Sequence, residues 1–409
     1  MTGSTTAPSQ LPKAAKLRIA FAFYAAVLLE GMMLASIGPN LDSLALNSAS
    51  TTEQIAILFT ANSLGYIIGS LIAARLYSRL PGNTVLAVAL VWMSLLTATI
   101  PLMGSVWTMV VVFVLVGLPV GLLDVGGNTL LVWLFRRDVP PYMNALHLAF
   151  GVGAFLCPLI VGGFALAEGD TTRSFWLFAA LMIPVALWLW RLPSPDAPTE
   201  TTAPAAGTVI IRRYAYFLGL MGLLFFMHVG GELAFGGWIY KYAEEVGVGG
   251  QATSFVLNSM FWGGLVIGRV IAIPLSLKWS ARMMLQVDLA ACAGFMGLIW
   301  LLPDSTVALW IGTIGFGMAI ASVFASCINY TQERMPMASH VMAIFFIGAS
   351  LGSMSLPWVI GQFFDSRGPE TMIWVVGGAI LGGLAVFGWI QAHTARRMPI
   401  IEKATRADG

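Results

Sequence analysis

The sequence predicts an all-α polytopic membrane protein whose chain crosses the bilayer twelve times. Of its 409 residues, 58% are apolar and only 10% are charged, a balance typical of helical membrane proteins. Runs of about 20 apolar residues recur, and each is long enough to cross ~30 Å of hydrocarbon as a helix. An internal repeat divides these runs into two sets of six.

The predicted spans follow one another through short connections, apart from one longer polar stretch between the sixth and the seventh. An even number of crossings places both termini on the same side of the membrane. The spans cover approximately residues 18–41, 54–77, 83–104, 106–135, 141–166, 172–191, 213–241, 252–277, 282–302, 305–331, 339–364 and 371–394.

Positive charge indicates which side the termini occupy. Of the 21 Lys and Arg residues, Arg173, Lys241 and Arg367 lie opposite the termini, Arg269 lies inside a span, and the others lie on the side of the termini. The positive-inside rule therefore predicts cytoplasmic termini, and we expect a monomer in a bacterial cytoplasmic (inner) membrane. Because the net charge is only +2, the expected partners are the lipid bilayer and a small-molecule substrate, with no nucleic acid.

The stretch between spans 6 and 7 is rich in Pro, Thr and Ala and is predicted to be a linker. The predicted domains are an N-terminal six-helix bundle at 1–191, a cytoplasmic linker at 192–210 and a C-terminal six-helix bundle at 211–409. Cys157, Cys292 and Cys327 all lie within spans, where cysteine behaves as a small apolar residue. Neither a disulfide nor a metal site is therefore expected.

An offset of 199 residues relates the two halves of the chain. Identical residues recur at this offset, chiefly in spans 1, 2 and 5 and their counterparts. They are Gly31 and Gly230, Leu34 and Leu233, Ala35 and Ala234, Gly38 and Gly237, Gly69 and Gly268, Gly153 and Gly352, Pro158 and Pro357, Gly162 and Gly361, and Phe164 and Phe363. This register predicts homologous bundles related by an axis along the membrane normal, with a site between them near the midplane.

Two sets of six helices joined by a cytoplasmic linker resemble the major facilitator superfamily. The superfamily's motif between spans 2 and 3 is present in outline as Ala74-Arg-Leu-Tyr-Ser78-Arg79-Leu-Pro-Gly82, with Ser78 in place of the usual acid. The resemblance implies the major facilitator fold and transport by alternating access. The replacement by Ser78 implies that the charge latch at the cytoplasmic gate is weakened or rebuilt.

A narrower resemblance is found in spans 4, 5, 7 and 8. The sequences concerned are Asp124-Val-Gly-Gly-Asn128, Leu146-His147-Leu-Ala-Phe-Gly151-Val-Gly153, Gly231-Glu232-Leu-Ala-Phe-Gly-Gly-Trp238 and Gly268-Arg269. They are similar to the fucose permease branch and to the sodium-dependent glucose transporter-like proteins. In the fucose permease branch, span 4 carries an acid followed four residues later by Asn, as Asp124 and Asn128 do here.

Asp124 lies in an otherwise apolar run, where an ionisable group is costly and usually faces a polar cavity. Gly117, Gly121, Asp124 and Asn128 share one helix face by their spacing. We interpret Asp124 as a cation-coupling residue; the alternative is a structural carboxylate that holds a neighbouring helix. At an offset of 198 residues, the counterparts of these four residues in the C-terminal half are Gly315, Ala319, Ser322 and Ser326. They are also small, but none of them is charged. This difference predicts coupling in the N-terminal half and mainly substrate binding in the C-terminal half.

Glu30 is the second candidate for cation coupling. It lies twelve residues from Arg18, as Asp124 lies twelve from Arg136, so both are ~18 Å from their cytoplasmic anchors. Two neighbouring carboxylates cannot both ionise cheaply in a medium of low dielectric constant, so one holds a proton or both share a cation. The predicted coupling ion is H⁺ or Na⁺, with no other cofactor. Alternatively, Glu30 faces another helix and makes a hydrogen bond there.

Aromatic and amide side chains supply candidates for sugar binding. His147 is expected to donate to a sugar hydroxyl or to relay a proton, although an interhelical hydrogen bond is the alternative. His228 and Glu232, four residues apart, either pair locally or bind substrate. For the Trp residues, packing or anchoring at the membrane interface is the alternative. The predicted substrate-binding residues are Asn128, His147, Glu232, Trp238, Asn62, Asn258 and Asn329.

Spans 8 and 9 each carry one buried charge. Arg269 lies nine residues from Lys278 and Asp288 lies six from Arg282, which places them ~14 and ~9 Å deep on consecutive antiparallel helices. The sequence predicts a structural ion pair between Arg269 and Asp288.

These observations favour a secondary active transporter that imports a monosaccharide or a similar small polar solute by symport with H⁺ or Na⁺. The alternative is a proton-coupled exporter of drugs or hydrophobic metabolites, with which the many Met and Phe residues are compatible. A sensor or a membrane-embedded enzyme fits less well, since the sequence has no recognisable signalling domain, nucleophile motif or metal-ligand cluster. We therefore expect no enzyme activity.

Overall fold

A computed structural model describes residues 11–196, 207–247, 249–335 and 339–398. This part of the chain contains fifteen α-helices and no β-strand. The helices are α1 (Lys13–Ala35), α2 (Ile37–Asn47), α3 (Thr52–Ile55), α4 (Ile57–Tyr77), α5 (Gly82–Thr99), α6 (Val106–Phe135), α7 (Val139–Glu168), α8 (Ser174–Trp190), α9 (Gly207–Glu245), α10 (Gln251–Ser276), α11 (Ala281–Leu301), α12 (Thr306–Ile320), α13 (Val323–Gln332), α14 (Ser339–Arg367) and α15 (Glu370–Arg397).

Among the described residues, twelve helical segments are long and apolar enough to cross a membrane. This number confirms the predicted all-α, twelve-span fold class. Two spans consist of two helices each: α3 continues into α4, and α12 is followed by α13. All three cysteines are buried and carry free thiols.

The helices of the first and seventh spans extend beyond the predicted span boundaries. Helix α1 begins at Lys13, and α2 continues past a break at Ser36 as far as Asn47, so the helical region exceeds the predicted 18–41. The Ser36 hydroxyl donates to the Met33 carbonyl oxygen at 2.7 Å, which satisfies one acceptor at the break. In the predicted linker 192–210, residues 197–206 lie outside the described residues, and α9 already begins at Gly207.

The chain separates into two compact units, Met1–Glu200 and Thr201–Gly409. Within the first unit, α1 packs on α7, α4 on α6 and α5 on α8. Within the second unit, α9 packs on α14, α10 on α12 and α11 on α15. Each pair in the second unit is the counterpart of one in the first, so the internal repeat is a repeat of helix packing as well as of sequence.

Equivalent glycines allow the closest of these approaches. A Cβ atom added at Gly153 of α7 would overlap the backbone oxygen of Leu28 in α1. A Cβ added at Gly352 of α14, its counterpart 199 residues later, would overlap the backbone oxygen of Phe226 in α9. Small residues at such positions let two helix backbones touch, which is how helices associate where the solvent is lipid.

Candidate functional site

The carboxylate of Asp124 is held by two side-chain donors from two helices. Tyr66 of α4 donates its hydroxyl proton to Oδ2 of Asp124 at 2.5 Å. Asn128, one turn along α6, donates Nδ2–H to Oδ1 at 3.0 Å and to the Asp124 backbone oxygen at 2.8 Å. Hydrogen bonds to an ionised acceptor are the stronger ones, so this arrangement stabilises a carboxylate within an apolar helix.

Close packing of α4 against α6 brings Tyr66 to Asp124. Added Cβ atoms at Gly117 and Gly121 would overlap the backbone oxygens of Asn62 and Tyr66, respectively. The glycine stripe predicted on span 4 therefore faces α4 and sets the distance between the two helices. Sequence reasoning missed Tyr66, although Gly65 and Gly69 beside it were the available signal, because small residues mark a helix contact.

Glu30 lies on α1 with only 3% of its surface exposed. Its Oε2 atom is buried and has no hydrogen-bond partner among the described residues. Asp124 acts on it electrostatically, so the two carboxyl groups predicted to lie at equal depth are within range of a charge–charge interaction. Gly31, the next residue, packs against the backbone oxygen of Phe150 in α7 and fixes this part of α1.

The C-terminal unit contains a separate group of charges on α9 and α10. His228 is 2% exposed, and its Nε2 lies 3.6 Å from Oε2 of Glu232, the local pairing expected from their spacing. Arg269 of α10 acts electrostatically on both residues. Glu232 thus interacts with two nitrogen-containing side chains, His228 directly and Arg269 through its charge.

The ion pair between Arg269 and Asp288 stays a prediction, and the structure adds other neighbours for both residues. Asp288 accepts a hydrogen bond from the Ser322 hydroxyl, and Glu232 acts electrostatically on Arg269. The prediction assumed that consecutive antiparallel helices pack along their length. Instead, α10 packs mainly on α12 and α9, while α11 packs mainly on α12, α13 and α15.

Two predicted substrate-binding residues are fully buried and join helices. Trp238 of α9 donates its indole N–H to the Pro357 backbone oxygen of α14 at 2.9 Å. Asn258 of α10 donates Nδ2–H to the Gly236 backbone oxygen of α9 at 2.7 Å. The contact of Trp238 agrees with the alternative that this residue packs between helices. Asn258 likewise links two helices.

The other predicted substrate-binding residues lie on separate helices. His147 is exposed on α7, and Asn62 is half-buried on α4, one turn from Tyr66. Asn329 is exposed on α13 and lines a cavity of about 420 Å³ together with Trp279, Ser326 and Gln332. This cavity combines amides, hydroxyls and an aromatic ring, a lining chemically compatible with a polar solute.

Comparison with known proteins agrees with this architecture. Residues 23–357 match the model of the family described as Major Facilitator Superfamily. The chain belongs to the Major Facilitator Superfamily. It is therefore an integral multi-pass membrane transporter, and the twelve apolar helices in the described part of the chain agree with this.

Curated members of the superfamily resemble the chain over most of its length. It is 26% identical to sodium-dependent glucose transporter 1 of Homo sapiens over 366 residues, covering 81% of this chain and 70% of the relative. It is also 26% identical to sodium-dependent glucose transporter 1A of Mus musculus over 373 residues, covering 83% of this chain and 88% of the relative. Both relatives belong to the group that the motifs in spans 4, 5, 7 and 8 resemble.

Solved superfamily structures share the fold at low sequence identity. A D-xylose–proton symporter superposes with a TM-score of 0.76 at 15% identity, covering 90% of this chain and 97% of the symporter. The nucleoside transporter NupG gives a TM-score of 0.70 at 12% identity, covering 92% of this chain and 98% of NupG. These matches agree with the superfamily fold.

Proposed function

We propose that the protein is a symporter that moves a monosaccharide or a similar small polar solute together with H⁺ or Na⁺, by alternating access. The single observation that carries the proposal is the Asp124 carboxylate, held by Tyr66 and Asn128 beside the buried Glu30. The names of its relatives, a sodium-dependent glucose transporter and a D-xylose–proton symporter, are consistent with it.

Coupling follows from the cost of two carboxylates in one apolar environment. A buried charge without a counter-charge is expensive, and two charges of the same sign close together are more expensive still. A proton or a cation at the Glu30–Asp124 pair relieves this cost. In alternating access, the loaded pair favours substrate binding on one side of the membrane, and cation release on the other side lowers substrate affinity.

In the proposed cycle, Asn128 connects substrate binding to cation binding. Its amide already bonds Asp124, so a substrate that displaces or shares this bond changes the environment of the carboxylate. Among the other candidates, the accessible His147, Asn62 and Asn329 are better placed for substrate contact than the fully buried Trp238 and Asn258. Glu232 remains a candidate through its contact with His228 and its electrostatic interaction with Arg269.

The orientation and setting of the transporter are part of the same proposal. The distribution of Lys and Arg favours cytoplasmic termini, and we place the protein as a monomer in a bacterial cytoplasmic membrane. Import into the cell is the direction that a symporter driven by an inward cation gradient supports.

The test is uptake of a panel of labelled sugars into proteoliposomes, with H⁺ and Na⁺ gradients imposed separately. The wild type should accumulate one sugar class under at least one gradient. Asp124→Asn should abolish accumulation but leave exchange of sugar across the membrane, since exchange requires no net cation release. Asn128→Ala should weaken substrate binding roughly five- to hundredfold, because it removes a buried hydrogen bond worth about 1–3 kcal/mol. Full gradient-driven accumulation by Asp124→Asn would refute the proposed coupling role.

A further inference from the structure

A cavity of about 420 Å³ lies within the C-terminal unit, where the end of α10, the beginning of α11 and α13 meet. This volume is in the range of pockets that bind small molecules. Lys278 and Arg282 lie in and beside the connection from α10 to α11, so the positive-inside rule predicts that this end of the unit is cytoplasmic. The lining includes Ser276, Trp279, Ser326, Asn329, Gln332 and Glu333.

One face of α13 supplies most of the polar lining. Ser326, Asn329, Gln332 and Glu333 follow the spacing i, i+3, i+6 and i+7, which places them on the same side of the helix. The two amides are exposed, and each has donors as well as an acceptor. Glu333 accepts a hydrogen bond from Nη1 of Arg334 at 3.0 Å, so its charge is balanced within the unit. This face therefore offers hydroxyl and amide groups to a neutral polar ligand.

The connection between α10 and α11 adds an aromatic ring. Trp279 is half-buried and lines the same cavity. Indole combines a flat apolar face with one N–H donor. Sugars and other polyols have C–H groups on the faces of their carbon skeletons and hydroxyl groups around the edge. A lining that combines an indole with amides and hydroxyls matches both parts of such a molecule.

The N-terminal unit has apolar or larger residues at the corresponding positions. At the offset of 198 residues, the counterparts of the two amides are Leu131 and Leu134, and both are buried. At the offset of 199 residues, the counterpart of Ser276 is Tyr77, which is also buried and has a much larger side chain. A compact six-helix unit therefore forms with Leu and Tyr at these positions, so packing alone does not require the polar lining. A polar set that the fold does not need favours a role in binding.

We propose that this cavity is a second binding site, for a monosaccharide or a similar neutral polyol. The Asn329 and Gln332 amides and the Ser326 hydroxyl bind the hydroxyl groups of the ligand, and Trp279 packs on its C–H face. The inference rests on the proposed function for the class of ligand. It adds a site in the C-terminal unit, apart from Asp124 in the N-terminal unit, and the predicted cytoplasmic position exposes this site to sugar inside the cell.

A lipid headgroup is the competing occupant. Anionic headgroups are bound most strongly by Arg and Lys, and in the described part of the chain the cavity is lined by the acid Glu333 and by neither of these cations. A glycolipid headgroup, in contrast, has the same polyol chemistry as a free sugar. The experiment therefore needs one arm with free sugars and another with a glycolipid.

The experiment measures how a ligand protects a cysteine placed in the lining. Ser276→Cys is suitable because Ser276 is exposed and its hydroxyl donates to the Ile273 backbone oxygen, whereas the three native cysteines are buried. The purified full-length protein, in a detergent without a sugar headgroup, reacts with N-ethylmaleimide, and mass spectrometry reads the modification at position 276. D-Glucose, D-xylose or a sugar identified by the uptake panel should slow this modification at least about threefold, with a saturable dependence on concentration.

Three variants separate the cavity from the transport site. Gln332→Ala, added to Ser276→Cys, should raise the half-maximal sugar concentration by about fivefold or more, as expected for one lost hydrogen bond. Asn128→Ala, added to the same variant, should leave that concentration unchanged, although it weakens binding at the proposed transport site. Lys278→Cys is the matched control: Lys278 is exposed in the same connection but does not line the cavity, so its modification should not respond to sugar.

Four results overturn the inference. They are the absence of protection by any of these sugars, equal protection of Lys278→Cys, a half-maximal concentration that responds to Asn128→Ala but not to Gln332→Ala, and protection by an added glycolipid alone. If Gln332→Ala does not fold, Ser326→Ala takes its place, and an unchanged half-maximal concentration counts against the site. Protection without sugar uptake into proteoliposomes would support the site and contradict the proposed symport, whereas uptake without protection would refute the site and leave the symport.

Discussion

Replacing Gly121 by alanine should damage both the stability of the N-terminal unit and its transport. The added Cβ would overlap the Tyr66 backbone oxygen and lie 2.8 Å from the amide nitrogen and the hydroxyl oxygen of Ser70. All of these atoms belong to α4, and two of them belong to its backbone, so α4 must move away from α6. A shift of about 1 Å would stretch the 2.5 Å Tyr66–Asp124 hydrogen bond to the limit of hydrogen-bond geometry.

The expected cost is the sum of three effects. Overpacking costs about 1–3 kcal/mol, and a weakened hydrogen bond to a charged group costs about 1.5–3 kcal/mol. Alanine has a higher helix propensity than glycine, which offsets about 0.5–1 kcal/mol of this destabilisation. The net destabilisation should be about 1.5–5.5 kcal/mol, corresponding to a fall in the unfolding midpoint of roughly 3–22 °C.

Gly127 on the same helix provides a matched control. There an added Cβ meets only side-chain atoms, the nearest being a Val27 methyl group at 3.0 Å. Gly127→Ala should therefore change stability by less than about 1 kcal/mol. The assays are thermal unfolding in detergent and sugar uptake into proteoliposomes for both variants. Equal stability and equal uptake for Gly121→Ala and Gly127→Ala would refute the view that the α4–α6 backbone contact positions Tyr66.

Three further perturbations test other contacts. A double-mutant cycle of Arg269→Ala and Glu232→Ala, followed by thermal unfolding, should give a coupling energy of about 0.5–3 kcal/mol, whereas simple additivity would show that the two charges act independently. Trp238→Phe should lower the free energy of unfolding by about 1 kcal/mol or more, because it removes the indole hydrogen bond to Pro357. Substrate affinity should stay unchanged, and a selective loss of affinity would show that Trp238 binds substrate. Ser78→Ala should leave uptake within about tenfold of the wild type, since the exposed hydroxyl bonds only locally, and a larger loss would contradict the weakened latch inferred for this position.

Much of the fold follows from patterns within single segments. Apolar runs of span length and the 199-residue register predict twelve helices in two homologous units, because the hydrocarbon core dictates helix length and a duplicated sequence packs in a duplicated way. Contacts within one helix are predictable for the same reason. Asn128 to Asp124 and His228 to Glu232 are separated by four residues, and helix geometry alone brings such side chains together.

The sequence did not identify which residues meet across helices. Tyr66 was missed as the partner of Asp124, and Ser322 as the partner of Asp288, because equal depth in the membrane does not say which helices are neighbours. The ion pair of Arg269 and Asp288 stays a prediction for the same reason, since α10 and α11 follow each other in the chain but pack mainly on other helices.

The sequence by itself therefore determined the membrane class, the number of spans, the internal repeat and the position of the acid in span 4. Only the tertiary structure decided that Tyr66 supports this acid, that Trp238 and Asn258 are buried in contacts between helices, and that span 10 breaks at Ala321 and Ser322. The physical reason is that the length of an apolar run and the spacing of its polar residues are properties of a single helix. The partner of a polar side chain depends instead on which faces of two helices pack against each other. In this protein, contacts between helix backbones at glycine residues determine those faces.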